Sequence, residues 1–367
     1  MFKLIRIFFK AILVLTGAVS LSRCGSGYKQ KDGKTFYNGK EVTDKDLEVL
    51  NDVFARDKGG VYYRGEAIEH ADPSTFLALD ESYAKDKSRV YYCNQYREGQ
   101  TYFTTKKRTV EIVSNADPAS FELVNMGYAK DKVSAFYHGA PFHVEHLESF
   151  KGIDAFFSAD NSNIYFNGKP VHGADAGSFK VIDNHYASDN KQVYYYGYPS
   201  EVKNKIYVMA ADPATFKVLD YPYSSDKNFV FYEDRPLNGA IVKGFRVLGS
   251  DFSADPHSVF FKTTVILNAD PDTFRILGND PASTEISYYA SDGRKVFYKE
   301  TSMTGADPLT FNALRLDYAI DKTHVYYRAN VVNGADPHNF EVYQHGFGEA
   351  DSKDRNHEYY EGKRVHN

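Results

Sequence analysis

Three sets of residues in this chain have types and spacings that could do chemistry. The first is a series of aspartates, one per repeat: Asp32, Asp57, Asp86, Asp131, Asp160, Asp189, Asp226, Asp255, Asp292, Asp321 and Asp354. One carboxylate per coil suits calcium in some β-rolls. A calcium site needs several oxygens converging, and each unit offers one or two, so turn formation is the simpler role. The second set is His138, His143 and His146. Their spacing is conceivable for zinc, but no flanking residues supply a second shell or an open position with a base. The third set is six tyrosines that end Val-Tyr-Tyr segments or their variants, Tyr63, Tyr92, Tyr137, Tyr195, Tyr232 and Tyr327. Adjacent rings on a strand point to opposite faces. One ring per unit therefore enters the core, and the other is a candidate for an outer aromatic ladder that binds sugars, glycan strands or a protein. The competing reading is that stacking buries both faces. No nucleophile elbow, phosphate loop, HExxH or Cys-x-x-Cys motif occurs. The reading is of a non-enzyme with no catalytic residue, no metal and no cofactor.

The elements that position these residues follow from a repeat. The successive spacings of the aspartates are 25, 29, 45, 29, 29, 37, 29, 37, 29 and 33, so a period of 29 recurs through the chain. One half of the unit reads Tyr-Ala-x-Asp-x-x-x-Val-Tyr-Tyr-x-Gly, as in Tyr83-Ala84-Lys85-Asp86 followed by Val90-Tyr91-Tyr92. The other half reads Ala-Asp-Pro-x-Thr/Ser-Phe, at Asp72, Asp117, Asp212, Asp270, Asp307 and Asp336, with a weaker copy at Asp175. From this second aspartate to the next first-half aspartate the distance is usually 14 residues (72 to 86, 117 to 131, 212 to 226, 307 to 321).

Asn-Gly after an aromatic run, as in Phe36-Tyr37-Asn38-Gly39 and Tyr165-Phe166-Asn167-Gly168, predicts a type I′ hairpin. Asp-Pro predicts one helical turn, with the Asp side chain capping it and Pro at its first position. The unit is expected to run strand, hairpin turn, strand, helical turn, strand. With 30 Tyr, 27 Phe and no Trp, the composition favours strands as well. So short a unit cannot bury its faces alone, and stacking neighbours gives a mainly β tandem array of about eleven units, solenoid-like or a hairpin stack. A β-propeller is the alternative; its blades need four strands, so two units would have to merge. Residues 94–112, 197–208 and 278–288 are insertions where a specific site would depart from the scaffold. The short first unit and the charged last one suit capping.

Asp226-Lys227-Asn228-Phe229-Val230-Phe231-Tyr232, with Asp-Lys opening other copies at Asp57, Asp86, Asp131 and Asp321, resembles the DKNYY repeat family of bacterial envelope proteins over residues 30–367. The resemblance implies no particular activity and carries over no catalytic residue.

The N-terminus reads as targeting. Lys3, Arg6 and Lys10 precede an apolar run from Ala11 to Leu21, too short for a comfortable span and suited to a signal peptide over residues 1–23. Leu21-Ser22-Arg23-Cys24 resembles a bacterial lipobox, with Arg23 where the family has a small residue. That resemblance implies lipid attachment at Cys24, residues 24–29 as a tether, and membrane association through the lipid. It places the body in the cell envelope, as an outer-membrane lipoprotein facing the periplasm or the surface. A plain secretory signal cut after Ser20 and an uncleaved anchor are the alternatives. With 44 Lys+Arg against 49 Asp+Glu, there is no basic excess to attract nucleic acid. Cys24 and Cys93 are too few for a disulfide framework. Cys93 reads as a small residue beside its strand.

The functional expectation is a non-enzymatic, envelope-anchored scaffold for a protein or glycan partner. A secreted or surface interaction protein, toxin-neutralising or adhesin-like, is the alternative. A hydrolase built in the insertions is the third.

Overall fold

Val-Tyr-Tyr segments are β-branched and aromatic, and Asn-Gly next to them turns the chain back on itself; in the computed structural model each such segment is the third strand of a small antiparallel sheet. The structure describes residues 27–365, apart from 33, 43–45, 98, 100–105, 126, 198–204, 279–285 and 344–349. Residues 1–23, read above as a signal segment, and Cys24 lie outside the described residues. Among the described residues eleven sheets follow one another, ten of four strands and the first of three. Repeat seven is representative: Lys217–Asp220, Tyr223–Ser225, Val230–Tyr232 and Arg235–Pro236. Each strand pairs antiparallel with the next. The hairpin turn has the expected conformation, with φ of 49° at Asn38 and 78° at Gly39.

Four strands per repeat corrects the expected three. The Tyr-Ala-x segment and the residues after the hairpin turn are each strands of only two or three residues in most repeats, too short to show a two-residue period. Two repeats therefore need not merge to make a four-stranded sheet. The Asp-Pro segments form single turns, such as Thr75 N–H to Asp72 C=O at 3.3 Å and Thr310 N–H to Asp307 C=O at 3.2 Å. Leu147–Ser149 and Pro337–Asn339 tighten to a 3₁₀ turn. The first insertion lengthens a hairpin, with Val90–Tyr96 pairing Lys107–Ile112. Residues 198–204 and 279–285 of the other two lie outside the described residues.

The described residues form two compact units, one reaching to residue 160 with 167–169, the other comprising 161–166 and those from 170 onward. Within each, the strand alternation gives every sheet two apolar faces. In the first unit, Tyr83, Val90 and half-buried Tyr92 of repeat three face Ala129 and Phe136 of repeat four, with Phe121 between them. Phe121 comes from the Ala-Asp-Pro-x-Ser-Phe segment, and its ring lies 5.5 Å from Tyr83 and 5.4 Å from Phe136. In the second unit the same pattern recurs: Tyr289, Val296 and Tyr298 face Ala319 and Tyr326, with Phe311 between. Tyr318 and Val325 face Tyr359 across Phe340. Each fully buried ring contributes about 1.5–3 kcal/mol by leaving water, which neither face could gain in an isolated repeat.

Candidate functional site

The aspartate of each Asp-Lys turn is the polar centre of its repeat. Oδ1 of Asp86 accepts the N–H groups of Ser88 (2.7 Å) and Arg89 (2.8 Å), the local turn expected from sequence. Oδ2 accepts two more hydrogens, from the Asp72 N–H (3.1 Å) and the Tyr91 hydroxyl (2.7 Å). This carboxylate clips the Asp-Pro turn to the strand hairpin and explains the spacing of 14. The clip recurs from Asp117 to Asp131 (2.8 Å), Asp175 to Asp189 (2.9 Å), Asp212 to Asp226 (2.8 Å) and Asp307 to Asp321 (3.1 Å). It persists where the spacing stretches to 22 (Asp270 to Asp292) and 18 (Asp336 to Asp354). It also persists where the donor is His146 or Ile241, because only a backbone N–H is needed. The lysine beside the aspartate closes the ring: Lys87 N–H donates to Thr75 Oγ1 at 3.2 Å, and its Nζ lies 3.1 Å from the Asp72 carboxylate. Lys132, Lys227 and Lys322 do the same with Asp117, Asp212 and Asp307.

From Asp86 to Asp354 every one of these first-half aspartates is buried. Burial alone would raise the Asp321 pKa. Hydrogen bonds from the Thr323, Asp307 and His324 N–H groups and the Tyr326 hydroxyl outweigh it, holding the group at about 2. Such a carboxylate stays ionised and saturated with donors, so it is a poor general base and offers no lone pair pattern for an incoming cation.

The tyrosine that opens the second strand links one repeat to the next. The Tyr83 hydroxyl accepts the Gly139 N–H at 2.7 Å and lies 3.2 Å from the Gly127 carbonyl. Tyr128 donates to the Phe156 carbonyl and Tyr223 to the Asp251 carbonyl, both at 2.7 Å. Tyr318 donates to Asp351 Oδ1 and accepts the Gly362 N–H, again at 2.7 Å. Glycine is needed at these turn positions because a Cβ on Gly362 would stand 2.5 Å from that of Tyr327. Burial pushes all these phenols well above their ordinary pKa.

Of the six tyrosines expected on an outer ladder, Tyr63 and Tyr195 are buried and Tyr92, Tyr137, Tyr232 and Tyr327 are half-buried. Each packs across the hairpin on the aromatic ring that opens the second strand, with centroids between 4.6 Å (Tyr137 on Tyr128) and 5.3 Å (Tyr195 on Tyr186). No ring of the six stands clear of the stack. The structure does not bring the histidines together as ligands. His138 lies flat on Tyr137 at 4.2 Å, and burial lowers its pKa. His143 is exposed, and His146 serves Asp160 through its backbone. Among the described residues no group of three His, Cys, Asp or Glu side chains could hold a metal. Cys93 is buried as a structural residue, its thiol pushed up to about 12 by burial.

The clip through Oδ2 was written in the constant spacing of 14, a signal that by itself does not say which atoms meet. The hydroxyl links between repeats had no sequence signal, since nothing along the chain relates Tyr83 to residues 127 and 139.

Successive four-stranded sheets, from the third onward each closed by a buried aspartate, define a tandem β-repeat protein. The DKNYY family matches the chain three times, over residues 5–95, 96–235 and 234–363, and the chain belongs to that family. No curated protein and no solved structure matches it. Among the described residues no helix is long and apolar enough to cross a membrane.

Proposed function

We propose that the protein is a non-enzymatic scaffold tethered to the bacterial cell envelope through a lipid on Cys24, presenting its repeat array to a protein or glycan partner. The observation that carries this reading is the commitment of the recurrent polar groups. The aspartates and the phenols of the repeat are consumed in clips and rungs, as Asp321 and Tyr318 are. Chemistry needs one asymmetric site, and this fold spends its reactive side chains evenly on its own construction. Tethering is supported by the lipobox-like Leu21-Ser22-Arg23-Cys24 behind a basic and then apolar segment. Arg23 favours a second reading, a secreted or surface interaction protein without lipid. Comparing the mass of the mature N-terminus and the membrane fractionation of wild type and Cys24→Ala separates the two. A diacyl mass in the wild type, lost together with membrane association in the variant, is expected; an unlipidated mature chain overturns the tether.

A further inference from the structure

One repeat leaves a sheet edge that the others close off. The fourth strand is two or three residues long in every other four-stranded repeat, but Lys107–Ile112 in repeat three has six. Short edge strands are how sheets avoid pairing with other chains, and a long one is a template for it. Val113 N–H donates to the Val90 carbonyl at 2.8 Å, so the pairing alternation turns the backbone groups of Glu111, Thr109 and Lys107 toward the neighbouring strand. Those of Arg108, Val110 and Ile112 then point away from the sheet, and among the described residues none of them has a partner. Two of the side chains on these residues are apolar and uncovered, Val110 at 39% exposed and Ile112 at 54%, while the Arg108 guanidinium pairs with Glu66 of repeat two.

We infer that this edge pairs with the same edge of a second copy, antiparallel about a two-fold axis through Val110. This does not rest on the scaffold reading. The strand, Lys107-Arg108-Thr109-Val110-Glu111-Ile112, is self-complementary in that arrangement. Val110 meets Val110 of the second copy as a hydrogen-bonded pair, and Arg108 meets Ile112, its aliphatic stem covering the exposed side chain. Thr109 meets Glu111, which places the Glu111 carboxylate diagonal to Lys107 of the other copy, within reach of a long side chain. A parallel arrangement would set Lys107 beside Lys107 and Glu111 beside Glu111. An isologous contact of this kind closes on itself and gives a dimer rather than a fibre.

The test uses the full chain carrying Cys24→Ala, so that Cys93, which is buried, is the remaining native cysteine. Sedimentation should give twice the chain mass of 41.6 kDa at micromolar concentration. Val110→Lys, at an exposed position, sets two ammonium groups against each other and should weaken association at least tenfold while leaving circular dichroism unchanged. Val110→Cys should form an intermolecular disulfide on mild oxidation, because a hydrogen-bonded pair holds its Cα atoms about 5.5 Å apart, inside disulfide range. Leu309→Cys, 88% exposed in repeat ten, should not. A monomeric parent chain, a dimer indifferent to Val110→Lys, or equal cross-linking from both cysteines each overturns the inference.

Discussion

Repeats eight and ten build the same sheet from different side chains. Repeat ten opens its second strand with Tyr318 and carries Tyr326, whose hydroxyl donates to Asp321 at 2.7 Å. Repeat eight has Phe252 and Phe260 at those positions, so Asp255 receives its Oδ2 hydrogen from the Ile241 N–H without a phenol. The ring packing is nearly the same: Phe252 lies 5.1 Å from Phe261, and Tyr318 lies 4.9 Å from Tyr327. Asp255 is 0% exposed and Asp321 is 4%. Burial of rings and the backbone clip thus suffice to form a repeat, and the hydroxyls are polar links added to a geometry already set.

Asp321→Ala should have the largest effect, because it leaves three N–H groups and a phenol without their acceptor; a loss of about 4 kcal/mol in urea unfolding is expected, from about 1–3 kcal/mol per abandoned buried donor with partial relaxation. Asp255→Ala should cost less, having no phenol to strand. Gly362→Ala comes next, at about 2–3 kcal/mol, since it combines a φ of 72° with a Cβ pressed onto Tyr327. Tyr326→Phe gives Asp321 the phenol-free setting of Asp255 and should cost only about 1 kcal/mol. A loss as large as that of Asp321→Ala would show that the hydroxyl, not the ring, holds the repeat.

Two pH ranges sharpen the same point. The Asp321 pKa is depressed to about 2, so its contribution is complete above the ordinary carboxylate range and is lost as pH falls from about 4 through 2. Acid unfolding followed by circular dichroism should therefore begin below pH 4. Tyr91 and Tyr359 are pushed up to about 12, first by burial and then by their bonds to Asp86 and Asp354. Their contribution is complete below the ordinary phenol value near 10 and is lost as pH rises through 12. Ultraviolet titration should show the buried phenols ionising only together with unfolding.

Much of this architecture was legible in the chain. The period, the Asn-Gly hairpins and the Asp-Pro turns are local features, set by residues within a few positions of one another. The number of strands was not legible, because segments such as Thr264–Val265 and Thr301–Ser302 are two residues long and acquire strand character only by pairing. Burial of the second tyrosine was one of two readings that the sequence left open. Tyr92 looks free on its own hairpin and is covered by the turn of the next repeat, where Gly139 comes so close that a Cβ there would stand 2.7 Å from that of Tyr92. The roles of His146 and Ile241 as clip donors were invisible for a different reason: a backbone N–H leaves no mark on residue type.

From the third repeat onward a buried carboxylate closes the repeat onto a backbone N–H usually 14 residues earlier, and amide hydrogen exchange at Asp307 reads that clip out. Strong protection of the Asp307 amide is expected in the wild type and its selective loss in Asp321→Ala, with the equivalent amides of Asp117 and Asp212 unchanged. An Asp307 amide that exchanges as fast in the wild type as in the variant would contradict it.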